Sequence, residues 1–185
     1  MSKASLESSQ RGESTVMYTF RTLTKEDAEQ YWRLRLEGLK NHPDAFGHSF
    51  DDEQQTPLKE VREGLEGDPE SDEVWIGIFD EEKLFGFGQV KPYELSRESH
   101  KAMISGVYIS PDYRGGTGRA LMEALIEEAK QIPDVEQVIL AVLSGNEAAQ
   151  KLYESLGFEV YAEDPDSVKL EDGTYRDDIW MKKYV

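Results

Sequence analysis

The chain contains no cysteine. That absence excludes disulfides, thiolate metal sites and a covalent acyl-cysteine route together. Histidine is scarce too: His42, His48 and His100 stand far apart and form no H-x-x-x-H pair, so no metal is assigned. No apolar run approaches the roughly 20 residues that a membrane-spanning helix requires, and no secretory signal is visible. Positive charge is in short supply, with 21 basic against 38 acidic residues and a formal net charge of -17. Such a field repels polyanions, which argues against a nucleic-acid binder or an anionic-membrane binder. An anionic ligand would need a local positive site. The expected location is the cytoplasm.

What is present is enough for one ordinary domain, since 185 residues can bury a core without staples. Residues 1–16, rich in Ser, Glu and Gln without an apolar core, read as a disordered leader or a remnant, leaving 17–185 as a single domain. A short strand is expected over 18–21. Thr24 then caps a helix carrying Ala28, Tyr31, Leu34, Leu36 and Leu39, and a second helix spans 58–65 behind Pro57. Residues 45–53 between them read as a loop. A hairpin of 74–79 and 84–90 precedes a strand over 102–109 that Pro111 ends. The strongest helical periodicity follows, through Ala120, Leu121, Ala124, Leu125 and Ala129. A strand over 135–143, a helix over 146–156, a short strand over 158–161 and a hairpin of 168–170 with 175–184 complete the chain. This order predicts an α+β domain.

The segment Ile109-Ser-Pro-Asp-Tyr-Arg-Gly-Gly-Thr-Gly-Arg-Ala120 places a strand, a glycine-rich turn and a helix N-terminus in direct succession. The first amides of a helix lack intrahelical partners and sit at the positive end of its dipole, so they can hold phosphate oxygens. Arg114 and Arg119 add charged donors in an otherwise acidic chain. Two other phosphate loops fail on their own residues. A nucleotide-hydrolysing loop needs Gly-Lys followed by Ser or Thr, whereas Gly118 is followed by Arg119-Ala120. A dinucleotide fingerprint needs Gly or Ala where Leu121 stands.

Some thirty residues later comes Leu140-Ala-Val-Leu-Ser-Gly-Asn-Glu-Ala-Ala-Gln-Lys-Leu-Tyr-Glu-Ser-Leu-Gly-Phe158. Together, P-x-x-R-G, G-x-G-R-A-L and N-x-x-A-x-x-L-Y-x-x-x-G-F resemble the GNAT family of N-acetyltransferases over roughly residues 75–158. The turn is one residue shorter than the family's R-G-x-G-x-G. Alignment on the helix makes Gly116-Thr-Gly118 the G-x-G and moves Arg114 one position closer.

The resemblance implies a mixed, mostly antiparallel central sheet flanked by helices and splayed between its two central strands to hold acyl-CoA. The pantetheine arm would pair with the backbone of Val107, Tyr108 and Ile109. The pyrophosphate would rest on Arg114, Gly115, Gly116, Thr117, Gly118 and Arg119. Asn146 would hydrogen-bond the pantetheine, and Tyr153 would face the thioester sulfur. The implied activity is acetyl transfer from acetyl-CoA, without a metal, to a primary amine by direct attack through a tetrahedral intermediate, with Tyr153 protonating the CoA thiolate. The acceptor is open between small-molecule and protein or peptide amines. Glu53, Glu98 and His100 are candidate bases by placement alone, and residues 46–53 and 91–99 are expected to shape the acceptor pocket. The alternative is a catalytically idle acyl-CoA sensor or interaction module on the same fold. A homodimer is compatible with the sequence but not specified by it.

Overall fold

Among the described residues, alternating apolar residues become seven strands and the 3.6-residue periodicities become helices that cover both faces of one sheet. The computed structural model describes residues 18–43, 46–67, 72–113 and 115–185, so the leader expected over 1–16 lies outside them. The elements are β1 (Tyr18–Thr22), α1 (Ala28–Asn41), α2 (Phe50–Glu53), α3 (Leu58–Glu66), β2 (Val74–Asp80), β3 (Lys83–Pro92) and β4 (Lys101–Ile109). They continue as α4 (Thr117–Gln131), β5 (Gln137–Leu143), α5 (Glu147–Ser155), β6 (Glu159–Lys169) and β7 (Tyr175–Tyr184). The strand order is β1-β2-β3-β4-β5-β7-β6, and every neighbouring pair is antiparallel except β4 with β5.

One face is closed by α4, whose Leu121, Met122, Leu125, Ile126 and Ala129 recur at helical spacing and are all buried. They pack with Ile78, Phe85, Val90, Ala102 and Ile104 from the sheet. Each large aliphatic side chain removed from water there contributes about 1.5–3 kcal/mol. The opposite face is closed by α1 and α3, where Tyr31, Leu34, Val61 and Leu65 meet Phe79, Leu84 and Phe87. No helix among the described residues is long and apolar enough to cross a membrane.

Two expectations are corrected. The segment read as a loop over 45–53 contains α2, whose cap is Ser49: its Oγ accepts from the Asp52 N–H at 3.1 Å. One turn is too short to show a period in sequence. The strands expected at 158–161 and 168–170 are one continuous edge strand, β6. Asp164-Pro-Asp166 reads as a break, but an edge strand tolerates proline at a bulge. The register against β7 shifts between Asp164 and Val168, and β7 carboxylates hold the bulge, Asp177 accepting from the Asp166 N–H at 2.9 Å and Asp178 from the Ser167 hydroxyl at 2.6 Å.

Candidate active site

β4 and β5 pair in parallel only over Lys101–Met103 and Gln137–Ile139, yet the strands run on to Ile109 and Leu143. Beyond Met103 they diverge, and a cavity of about 790 Å³ opens between them. The β5-facing edge of β4 from Ile104 onward therefore has no ladder partner among the described residues. Its main-chain groups are available to an extended ligand.

A bulge shapes that edge. Gln89 pairs with Ser105 and Phe87 with Tyr108, so Gly106 and Val107 together oppose Gly88. Gly106 adopts φ +60°, which a side chain would disfavour. The extra residue exchanges the faces of the strand. Ile104 packs on the α4 side, whereas Tyr108, four residues on, packs on the α1 side. Without the bulge both would face the same way. Val107, Tyr108 and Ile109, which the resemblance assigns to the pantetheine arm, all line the cavity.

At the far end of β4 lies the glycine turn. Gly115 and Gly116 have φ +111° and +105°, left-handed values that glycine adopts without strain, and α4 begins at Thr117. The Thr117 hydroxyl donates inward to the Tyr113 carbonyl and its side chain is buried, so toward the cavity Thr117 offers main chain. The N–H groups of Gly116, Thr117 and Gly118 meet no acceptor among the described residues. Arg119 lines the cavity too, with its guanidinium bonded to the Ser155 hydroxyl at 2.6 Å and paired with Glu123 at 3.2 Å. Arg114 lies outside the described residues. α1, α2, α3 and α5 each carry an acid in the first turn, where the helix dipole favours one; α4 carries none.

α5 supplies the opposite wall. Asn146 is its cap, the side-chain oxygen accepting from the Ala149 N–H at 3.3 Å, and it lines the cavity. Capping fixes Oδ1 and leaves the amide NH2 without an acceptor among the described residues. Tyr153 lines the same cavity, half-buried, its ring 6.1 Å from that of Phe158. Its hydroxyl meets no protein partner among the described residues, and burial pushes the phenol up to about 12. It is a neutral donor facing the cleft.

The three candidate bases do not line this cavity. Glu53 is engaged through both oxygens by Arg35, at 2.9 and 2.7 Å, with His48 Nδ1 3.3 Å away. Glu98 accepts from Lys101 at 3.2 Å, and the His100 carbonyl accepts from the Glu136 and Gln137 N–H groups at the paired end of the strands. Arg35 also lies 5.0 Å over the Phe46 ring, so the Arg35–Glu53 pair tethers the 46–53 segment to α1. Glu53→Ala leaves a largely buried guanidinium unpaired and is expected to cost about 2–3 kcal/mol in urea unfolding. A base would instead lose turnover at unchanged stability.

A second cavity of about 370 Å³ lies between His48, Ser49 and the tip of the β6–β7 hairpin, including Glu171, Asp172 and Arg176. Phe46 lines both cavities, so the two adjoin at its ring. The 91–99 segment expected to shape the acceptor pocket lines neither cavity, whereas the β6–β7 hairpin lines the second. Sequence reasoning also missed Glu37, whose Oε1 accepts from the Tyr108 and Ser110 hydroxyls, each at 3.1 Å, and so ties α1 to the end of β4.

A family model described as the acetyltransferase (GNAT) family matches residues 25–158. Among solved structures, an acetyltransferase of the GNAT family from Streptococcus pneumoniae is similar with TM-score 0.80 and 23% identity, over 91% of this chain and 99% of its own. A ribosomal-protein-alanine N-acetyltransferase from Brucella melitensis is similar with TM-score 0.77 and 24% identity, over 90% and 99%. A GNAT superfamily phosphinothricin acetyltransferase from Sinorhizobium meliloti, solved in complex with acetyl-CoA, is similar with TM-score 0.78 and 19% identity, over 91% and 88%. At these identities the likeness is one of fold. No curated protein matches the sequence.

Proposed function

Because the chain belongs to the acetyltransferase (GNAT) family, we propose that it transfers an acetyl group from acetyl-CoA to a primary amine, using the cleft between β4 and β5. The observation that carries this reading is the meeting of three donor sets on one 790 Å³ cavity: the unpaired β4 edge, the glycine-turn amides and the Tyr153 hydroxyl.

Acetyl-CoA supplies the activated acyl group, whose thioester carbonyl the amine attacks. The chain's own residues then divide the work along the cleft. Gly115, Gly116, Thr117, Gly118 and Arg119 offer main-chain N–H groups at the positive end of α4, which suits a pyrophosphate. The β4 edge along Val107, Tyr108 and Ile109 suits the pantetheine amides, and the main-chain N–H groups that point across that edge, on alternate residues, can polarise a carbonyl oxygen. Asn146 adds its free amide N–H groups. Tyr153 holds a proton at its phenol oxygen and delivers it to the departing sulfur. The burial that raises the phenol also disfavours a thiolate left in the same cavity, so both groups shift in one direction.

Thermal shift with CoA and with ATP tests the cofactor, since a ligand at 100 times its Kd stabilises by about 2.7 kcal/mol. Stabilisation by CoA alone is expected, and equal or absent shifts for both would overturn the assignment. A panel of amino acids, polyamines, aminoglycosides and peptide N-termini, followed by thiol release, tests the transfer itself. Release with at least one amine is the expected result. Binding without release from any of them would identify an idle acyl-CoA sensor.

A further inference from the structure

Ser105 stands one residue before the Gly106 bulge, directly opposite Gln89 on β3, in a row with Trp75 of β2. It also lines the cleft. Its Oγ lies 2.9 Å from Gln89 Oε1, and Gln89 Nε2 lies 2.6 Å from Glu73 Oε1. Lys91 Nζ pairs with the other Glu73 oxygen at 3.1 Å.

The direction of each proton in this chain follows from its last member. A carboxylate paired with a lysine only accepts, so the nitrogen of the Gln89 amide must face Glu73 and its oxygen must face Ser105. That oxygen is also acceptor-only, so the Ser105 hydroxyl must donate to it. A hydroxyl has one proton and two lone pairs. With its proton committed to Gln89, Ser105 offers the cleft nothing but acceptor capacity, and the charge on Glu73 polarises the chain in the sense that strengthens it. The two sides of the cleft are thus chemically opposite: Tyr153 packs with the α4-side cluster and carries a donor, whereas Ser105, next to Ile104 of that cluster, points to the α1 side and carries an acceptor.

We propose that Ser105 accepts a hydrogen bond from the nitrogen of the incoming amine, and that Gln89 and Glu73 are positioning residues that keep its hydroxyl turned for that task. The proposal rests on the acetyl-transfer reading above. An amine that aims its lone pair at a carbonyl carbon directs its N–H bonds away from it, and an acceptor-only group beside the strand edge selects that orientation. An ammonium ion has no lone pair to aim, so Ser105 contributes orientation and leaves deprotonation to another group.

A pair of CoA thioethers tests this without knowledge of the natural acceptor. S-carboxamidomethyl-CoA ends in an amide NH2 beyond the sulfur, and S-acetonyl-CoA carries a methyl group of the same size in its place. By calorimetry on the whole chain, the amide is expected to bind about tenfold more tightly than the ketone, as one net hydrogen bond implies. Ser105→Ala should abolish the preference while leaving ketone affinity unchanged, and Ser105→Thr should retain it. Gln89→Leu frees the hydroxyl to rotate and should reduce the preference to about threefold, with no further loss when added to Ser105→Ala. Equal binding of the two thioethers by the parent protein would overturn the role of Ser105 while sparing the cofactor assignment. Binding of neither would bring down both.

Discussion

Tyr153→Phe is expected to lower kcat about 100-fold, with the affinity for acetyl-CoA and the unfolding free energy nearly unchanged. The separation of the three readouts follows from the surroundings of the side chain. Its ring packs beside Phe158 and into the α4-side core, and phenylalanine preserves those contacts. Its hydroxyl has no protein partner among the described residues, so deleting it strands no buried group and should move stability by less than about 0.5 kcal/mol. What is lost is a proton donor at the sulfur, which matters only as the carbon–sulfur bond breaks, so the effect falls on kcat. The phenol lies near 12, so it stays protonated throughout the ordinary assay range. The parent enzyme should therefore show no alkaline fall in kcat attributable to this group below about pH 10, and any acidic limb reports the amine or its base. Stopped-flow turnover and chemical denaturation of the two proteins decide the matter. An unchanged kcat would remove Tyr153 from the mechanism.

The parts of the site that were legible in the sequence are those built from neighbours in the chain. The glycine turn, the Asn146 cap and the helix bearing Tyr153 each lie within one short segment whose residue types betray the local geometry, and all three line one cleft. What stayed hidden depends on pairing across the sheet. The run Ile-Ser-Gly-Val-Tyr reads as uninterrupted strand, and only the ladder with β3 reveals that Gly106 is an extra residue that turns Tyr108 to the other face. Ser105, Gln89 and Glu73 come from β4, β3 and the approach to β2, and Glu37 meets Tyr108 from 71 positions away. No local pattern joins such residues. The surroundings of the candidate bases were hidden for a related reason: Glu53 faces Arg35, a partner that spacing in the chain did not suggest.

Gly118→Asp is expected to weaken CoA binding by at least 100-fold while leaving the free protein as stable as before, or more so. Gly118 is the second residue of α4, and a β-carbon there would meet only Leu152 Cδ2, at an ordinary 3.6 Å. Replacing a helical glycine by aspartate gains only about 0.3 kcal/mol in propensity, and an acid in the first turn adds about 0.3–1 kcal/mol through the helix dipole. Folding alone would thus favour aspartate at α4, the one α-helix among the described residues whose first turn has no acid, in a chain with 38 acidic residues. A pyrophosphate at this turn reverses the balance. A carboxylate about 5 Å from a phosphate charge costs roughly 3 kcal/mol at an effective dielectric of 20, and the new side chain also competes for the same amides. Gly118→Asn separates charge from shape, and about a tenfold loss is expected for it. Salt should act in opposite senses: it weakens the parent's hold on CoA but screens the repulsion in the aspartate variant, so their affinities converge as ionic strength rises. Calorimetry at two salt concentrations reads both effects. Affinity unmoved by Gly118→Asp would show that the phosphates do not bind at this turn.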